Sequence, residues 1–134
     1  VPNQDPNRVL DLLVAHVERH APSGVRVTAT PSASMARPYA IAWDHPGNKI
    51  AAAVLREVYG VDVRYTRTGG SVPVCELFLD KVGVTTVSFG FGLDDEQLHA
   101  PNEFFRLKSF NRGKIAYGKL LEALAASPVT LNAE

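Results

Sequence analysis

The chain has 134 residues, an ordinary length for a single domain, and its 46% hydrophobic and 21% charged content excludes a disordered or fibrous protein. Its 14 Lys and Arg residues balance 14 Asp and Glu residues, so its charge favours neither nucleic acid nor membrane as a partner. No apolar run approaches the ~20 residues that span a bilayer. A single cysteine excludes an intrachain disulfide and is compatible with the cytoplasmic location that we expect. Because the first residue is Val1 and not Met, we also expect the natural N-terminus to be missing.

The residue pattern over 1–33 predicts one helix followed by one strand. Asp5 is a good N-cap, and Pro6 suits the first helical position, where its missing N–H costs nothing. Apolar residues then recur at helical spacing, whereas residues 25–29 alternate as in a half-buried strand. One helix and one strand cannot form a stable layer pair, so we expect half of a small α+β subdomain whose other half lies outside this sequence.

His16 and His20 are four residues apart on the first predicted helix, a spacing that can place two imidazoles over one metal ion. No carboxylate or cysteine lies close enough in sequence to complete such a site. We therefore favour two solvated side chains at a helix C-terminus, where positive charge is stabilising.

Residues 34–127 alternate predicted helices with apolar strand candidates, which favours a parallel α/β sheet covered on both faces. The helices are expected from Pro46 towards Gly60, over 73–82, and from an N-cap at Ser109 to residue 126. The strand candidates are 61–65 and 84–89. The buried side of the last helix is expected to carry Tyr117, Leu120, Leu121 and Leu124, and Cys75 is expected to be a buried structural thiol. Residues 128–134 are expected to be a loose tail.

The stretch from Arg67 to Val74 has the chemistry of an anion site. Gly69 and Gly70 let the backbone approach a ligand, and the following Pro73 opens a helix whose N-terminus favours negative charge. Ser71 adds a hydroxyl donor, and Arg67 adds a guanidinium group that can bind a carboxylate through two parallel hydrogen bonds. An ordinary strand-to-helix turn with a solvated arginine explains the same spacing equally well. Neither a dinucleotide fingerprint nor a phosphate-binding loop is present.

His99 follows the second strand candidate, so it and the Gly-Gly-Ser turn would lie at the same edge of a parallel sheet. Its imidazole could ligate zinc, with Asn102 or Glu103 supporting it by hydrogen bonding. The acidic run Asp94, Asp95, Glu96 could add ligands, but such runs usually form a solvated face. By spacing alone, a structural or exposed His99 is favoured, because catalytic zinc normally takes three protein ligands.

Two motifs together resemble a known family. Gly-Gly-Ser-Val-Pro-Val at 69–74 and His-Ala-Pro-Asn-Glu at 99–103 resemble the C-terminal motifs of the di-zinc metallopeptidases, a family that includes carnosinase-type dipeptidases, aminoacylases and acetylornithine deacetylases. Val-Pro-Asn-Gln-Asp-Pro at 1–6 resembles the turn into the second helix of the family's lid, or dimerisation, subdomain. The resemblance implies a ferredoxin-like half-lid over 1–33 and the C-terminal part of a catalytic zinc-peptidase-like α/β domain over 34–127.

The resemblance also implies roles. His99 would be the last ligand of a centre holding two zinc ions, with manganese or cobalt as alternatives, and Ser71 with the Gly69–Gly70 backbone would bind the substrate. Carnosinase-type dipeptidases often carry a glutamate near the substrate amine where this chain has Thr68, which argues against a free-amine dipeptide and in favour of an N-acyl or other amide substrate. The His-x-Asp ligands and the glutamate base are expected upstream, so no catalytic residue is assigned in this chain, which alone should be inactive.

The resemblance therefore predicts part of a hydrolase that cleaves a peptide or N-acyl amide bond, completed by its missing N-terminal part and forming a homodimer through the lid. The alternative is a non-catalytic module that holds a small anion at the Gly-Gly-Ser turn, with His99 incidental.

Overall fold

The computed structural model describes residues 3–30, 35–67 and 72–127. Regular structure in these ranges is helical: α1 spans Pro6–Arg19, α2 Pro46–Tyr59, α3 Pro73–Val82 and α4 Leu107–Ala126, and a short 3-10 helix spans Asp94–Glu96. Residues 1–40 and 67–84 form one compact unit, and residues 41–66 and 85–134 form another. None of the described helices is both long enough and apolar enough to cross a membrane.

The first unit contains α1, whose predicted start is confirmed. The carboxylate of Asp5 accepts hydrogen bonds from the N–H groups of Asn7 at 2.8 Å and Arg8 at 3.4 Å, and Pro6 occupies the first helical position. No residue of α1 is buried, so local capping is a large part of what holds this helix. The rings of His16 and His20 are exposed and stack on each other with centroids 4.1 Å apart, and their interpretation as solvated side chains stays a prediction.

The same unit contains α3, which has the bounds predicted for it. Pro73 begins the helix after an N-cap at Val72, and Gly83 ends it in the left-handed conformation at a φ of 70°. The side chain of Cys75 is 6% exposed, which confirms a buried thiol.

The second unit is built on the packing of α2 against α4. His45 caps α2 by accepting the N–H of Gly47 at Nδ1, and Gly60 ends it at a φ of 72°, so both predicted ends are confirmed. The backbone of Gly47 approaches Val87 so closely that an added Cβ would lie 2.7 Å from the valine methyl group. Glu57 of α2 and Lys119 of α4 form an ion pair between the two helices.

The prediction for α4 was wrong at its start and for two of the four residues of its buried face. The helix begins at Leu107 with Arg106 as N-cap, which places Ser109 inside the first turn. Ser109, Gly113 and Ala116 are the buried residues, and the predicted Leu120 and Leu124 are half-buried, whereas Tyr117 is 49% and Leu121 67% exposed. The buried residues recur at helical spacing and are small, which allows a close approach that leucine and tyrosine would prevent. An added Cβ on Gly113 would lie 3.2 Å from the ring of Phe91.

The predicted sheet is not tested by the described residues. Residues 25–29, 61–65 and 84–89 carry no assigned strand, and Val84 alone forms an isolated bridge, whereas a strand is defined by continued pairing with a neighbour. The α/β sheet and the half-lid therefore stay predictions. So do the domain boundaries at 33 and 127 and the loose tail, since residues 31–34 and 128–134 lie outside the described ranges.

Candidate functional site

The anion-site stretch is described only at its two ends. Thr68, Gly69, Gly70 and Ser71 lie outside the described residues, so their predicted contacts with substrate stay predictions. Arg67 is exposed on one side of this gap. On the other side, α3 begins at Pro73 after an N-cap at Val72, whose side chain cannot cap the helix, and the N–H of Cys75 donates to the carbonyl of Val72 at 3.0 Å.

His99 lies in the second unit, at the tip of a tight turn over residues 97–102. Its side chain is exposed, and its backbone is left-handed with a φ of 60°. Gln97 and Asn102 are left-handed as well, at 54° and 63°. Asn and His tolerate this conformation better than most residues, yet it costs a residue with a Cβ roughly 1–2 kcal/mol. Three such residues within six positions need contacts that hold them there.

Three backbone hydrogen bonds close the turn. The N–H of Ala100 donates to the carbonyl of Gln97 at 3.0 Å, and that of Glu103 donates to the carbonyl of Ala100 at 3.2 Å. The N–H of Phe104 then returns to the carbonyl of Glu96 at 3.2 Å. The segment from Glu96 to Phe104 is therefore a closed loop that contains the exposed His99.

The carboxylate of Glu96 joins the two stems of this loop. One oxygen accepts the N–H of Leu93 at 2.8 Å, and the other accepts the N–H of Arg106 at 2.9 Å and lies 3.3 Å from its guanidinium. Glu96 is fully buried, at 0% exposure. The hydrogen bond from the Leu93 amide, followed by those from Arg106, holds the pKa of Glu96 below its usual range, against the opposing effect of burial.

Arg106 completes the arrangement from the N-cap of α4. Its guanidinium forms a bidentate pair with the carboxylate of Asp95, with nitrogen–oxygen distances of 2.8 and 2.7 Å. It also lies 5.0 Å from the centre of the Phe104 ring. The hydrogen bonds that Arg106 donates lower the pKa of Asp95. The same bonds to Asp95 raise the pKa of Arg106. We name Glu96, Asp95 and Arg106 the loop clasp.

The interpretation of the acidic run as a solvated face was wrong for Glu96, although it holds for the exposed Asp94. Composition could not separate these carboxylates, because all three belong to the same run. The spacing did hold a signal: Glu96 lies three positions after Leu93, the separation at which a glutamate reaches back to a helix N-cap. The bond to Arg106 spans ten positions and has no local signature.

His99 is the predicted metal ligand that lies among the described residues. No group of three His, Cys, Asp or Glu side chains gathers anywhere within the described ranges. Asn102 and Glu103 are exposed in the same turn as His99, and no hydrogen bond between either side chain and its imidazole is found there. An exposed imidazole is a suitable zinc ligand. It is one ligand, however, and a catalytic zinc ion normally has three ligands from the protein.

Comparisons with known proteins identify the family of the chain that carries this loop. The chain is 32% identical to the Cys-Gly metallodipeptidase DUG1 of Saccharomyces cerevisiae over 71 residues, which are 53% of this chain and 15% of the yeast protein. The chain thus covers a small part of that relative's length. No solved structure matches it. The model of Peptidase family M20/M25/M40 matches residues 5–123, a range that contains both the Gly-Gly-Ser turn and the His99 loop. This chain belongs to Peptidase family M20/M25/M40.

Proposed function

We propose that this chain is part of a metal-dependent hydrolase that cleaves a peptide or N-acyl amide bond. The family match over 5–123 and the identity with a protein named as a metallodipeptidase support this reaction class. The single observation that carries the proposal is that the matched range includes His99, an exposed imidazole on a loop that the clasp holds closed. A bound metal would supply activation of the water that attacks the amide.

In this proposal His99 is one ligand of a two-zinc centre, for which manganese or cobalt would be the alternatives. Catalytic zinc normally takes three protein ligands, and no group of three His, Cys, Asp or Glu side chains gathers among the described residues. The other ligands and the general base would therefore come from polypeptide beyond these 134 residues. The same requirement explains why we expect the chain alone to be inactive. Asn102 and Glu103 would support the ligand by hydrogen bonding.

Substrate would bind at the Gly-Gly-Ser turn. Gly69, Gly70 and Ser71 would hold a carboxylate or the amide carbonyl with N–H and hydroxyl donors near the N-terminus of α3. Arg67 is exposed just before residues 68–71, and its guanidinium would bind a carboxylate through two parallel hydrogen bonds. Thr68 carries no charge to pair with a substrate ammonium, so we propose an N-acyl amino acid or another amide beside small peptides. A dipeptide with a free amine would lack a partner there.

The proposal extends to the architecture. Residues 34–127 would contribute helices and strands to the catalytic α/β domain, with the sheet completed by strands from elsewhere in the protein. Residues 1–33 would belong to a lid subdomain through which two copies form a homodimer, and the whole protein would be cytoplasmic.

A titration with Zn²⁺ or Co²⁺ tests the role of His99. We expect this chain to bind less than one equivalent tightly, and His99→Ala to remove that binding. His16→Ala is the matched control, because His16 is also exposed but belongs to a stacked pair on α1. Tight binding of two ions by this chain alone, or loss of binding on His16→Ala instead, would contradict the proposal.

A non-catalytic anion-binding module is the second candidate, favoured by the position of the Gly-Gly-Ser motif directly before the N-terminus of α3. The two candidates differ in what Ser71→Ala and His99→Ala do. In an anion-binding module, Ser71→Ala weakens phosphate or carboxylate binding and His99→Ala changes nothing. In the hydrolase, His99→Ala also removes metal binding.

A further inference from the structure

We propose that Glu96 is a positioning residue for His99: its buried carboxylate holds the closed loop in the conformation that presents the imidazole. This inference rests on the proposed role of His99 as a metal ligand. It concerns a residue that touches neither metal nor substrate and acts through the backbone of the loop.

Both carboxylate oxygens of Glu96 are used inside the loop clasp. One accepts from the backbone of Leu93 before the turn, and the other accepts from the backbone of Arg106 after it. The two bonds therefore bring together the stems on either side of His99. A side chain with 0% exposure and no oxygen left over cannot exchange protons with a substrate, so a role as general base is excluded for Glu96.

The loop needs such a restraint because of its backbone. Gln97, His99 and Asn102 all have positive φ values, between 54° and 63°, and lie between the two stems that Glu96 joins. Without the clasp, the chain would lose the bonds that offset this conformation, and extended conformations of His99 would become populated. The direction of its imidazole would then vary, and a metal ion would have to select one conformation from several.

The chemistry of the clasp explains why a carboxylate is needed. Both of its partners at the stems are N–H donors, so the side chain must accept on both sides. In Glu96→Gln one of the two positions becomes an NH₂ group, which faces a donor and cannot bond to it. The substitution preserves shape while removing one of the two links.

The first measurement follows the loop itself in this chain, without metal. NMR couplings and carbon shifts at His99 report whether its backbone is left-handed. We expect Glu96→Gln to shift His99 away from a positive φ and to speed amide exchange at Leu93 or Arg106. Asp94→Asn is the matched control, since Asp94 is an exposed carboxylate in the same 3-10 helix. It should leave these signals unchanged, and far-UV circular dichroism should show that all variants keep their helices.

The second measurement adds Zn²⁺ and follows the ring protons of His99. Glu96→Gln should weaken the apparent affinity by about tenfold or more, the range found when groups that orient metal ligands are removed. Asp94→Asn should change it less than twofold. An unchanged backbone at His99, or unchanged Zn²⁺ affinity in Glu96→Gln, would overturn the inference.

The His99→Ala variant separates this inference from the proposed function. If it keeps full Zn²⁺ affinity, the role of His99 as a ligand is wrong and the inference is lost with it. If it loses affinity while Glu96→Gln does not, the proposed function survives and the positioning role of Glu96 is rejected.

Discussion

The hydroxyl of Tyr117 donates a hydrogen bond to the carbonyl of Phe89 at 2.6 Å, which ties α4 to the segment that leads into the His99 loop. The ring of Tyr117 also lies against both Phe89 and Phe91, with centroids 5.2 and 5.9 Å apart. Tyr117 thus contributes to this unit from a half-exposed position, through its polar tip as well as its ring.

We expect Tyr117→Phe to lower the free energy of unfolding by about 0.5–1.5 kcal/mol, because the ring contacts remain and one hydrogen bond is lost. Denaturant unfolding measures the change. Tyr59→Phe is the control, since no hydrogen bond of the Tyr59 hydroxyl is found among the described residues and its ring contact with Arg112 would persist. Equal stability of Tyr117→Phe and the unchanged protein would contradict the hydrogen bond.

Two glycines of α4 predict different responses to the same substitution. Gly118 has open space where a Cβ would be, so Gly118→Ala should stabilise by about 0.5–1 kcal/mol through helix propensity. In Gly113→Ala the new Cβ meets the Phe91 ring at 3.2 Å, and that ring is held by Phe89 and Tyr117. We expect Gly113→Ala to be about 1 kcal/mol or more less stable than Gly118→Ala in thermal or denaturant unfolding. Similar stabilisation by both would show that the ring retreats freely.

The loop clasp predicts acid sensitivity. Glu96 and Asp95 have pKa values below their ordinary 4.5 and 3.8, so the unfolded chain binds more protons than the folded chain as pH falls through this range. Their contribution to stability is complete above the ordinary pKa values and is lost as pH falls below them. Unfolding free energies measured from pH 6 to pH 3 should therefore fall less steeply in Glu96→Gln than in the unchanged chain. Parallel curves would contradict a lowered pKa of Glu96.

The N-cap of α1 predicts a local effect in the other unit. Asp5→Ala removes the acceptor for the Asn7 and Arg8 amides, at a cost of about 1 kcal/mol, and no buried residue of α1 compensates. Amide exchange in the first turn should accelerate and helical circular dichroism should decrease. Asp5→Asn should retain most of the helix, because asparagine caps equally well. Asp11→Ala, an exposed change within α1, should leave the first turn unaffected.

Helix bounds were predictable from sequence where short-range chemistry sets them. Pro6, Pro46 and Pro73 each begin a helix because a proline lacks only an N–H that the first turn does not use. Gly60 and Gly83 each end one by adopting a left-handed backbone. The motifs at 69–74 and 99–103 likewise indicated the family that residues 5–123 match. These signals lie within a few positions of what they determine.

Burial and the role of the acidic run were set by contacts between distant positions. Small residues form the buried face of α4 because α2 and Phe91 approach it closely, and periodicity alone had favoured its larger apolar side chains. Glu96 differs from Asp94 because its carboxylate meets the amide of Arg106, ten positions away. The fold brings the Arg106 amide to Glu96, so the nearby sequence does not predict this hydrogen bond, although the spacing from Leu93 indicates the other one.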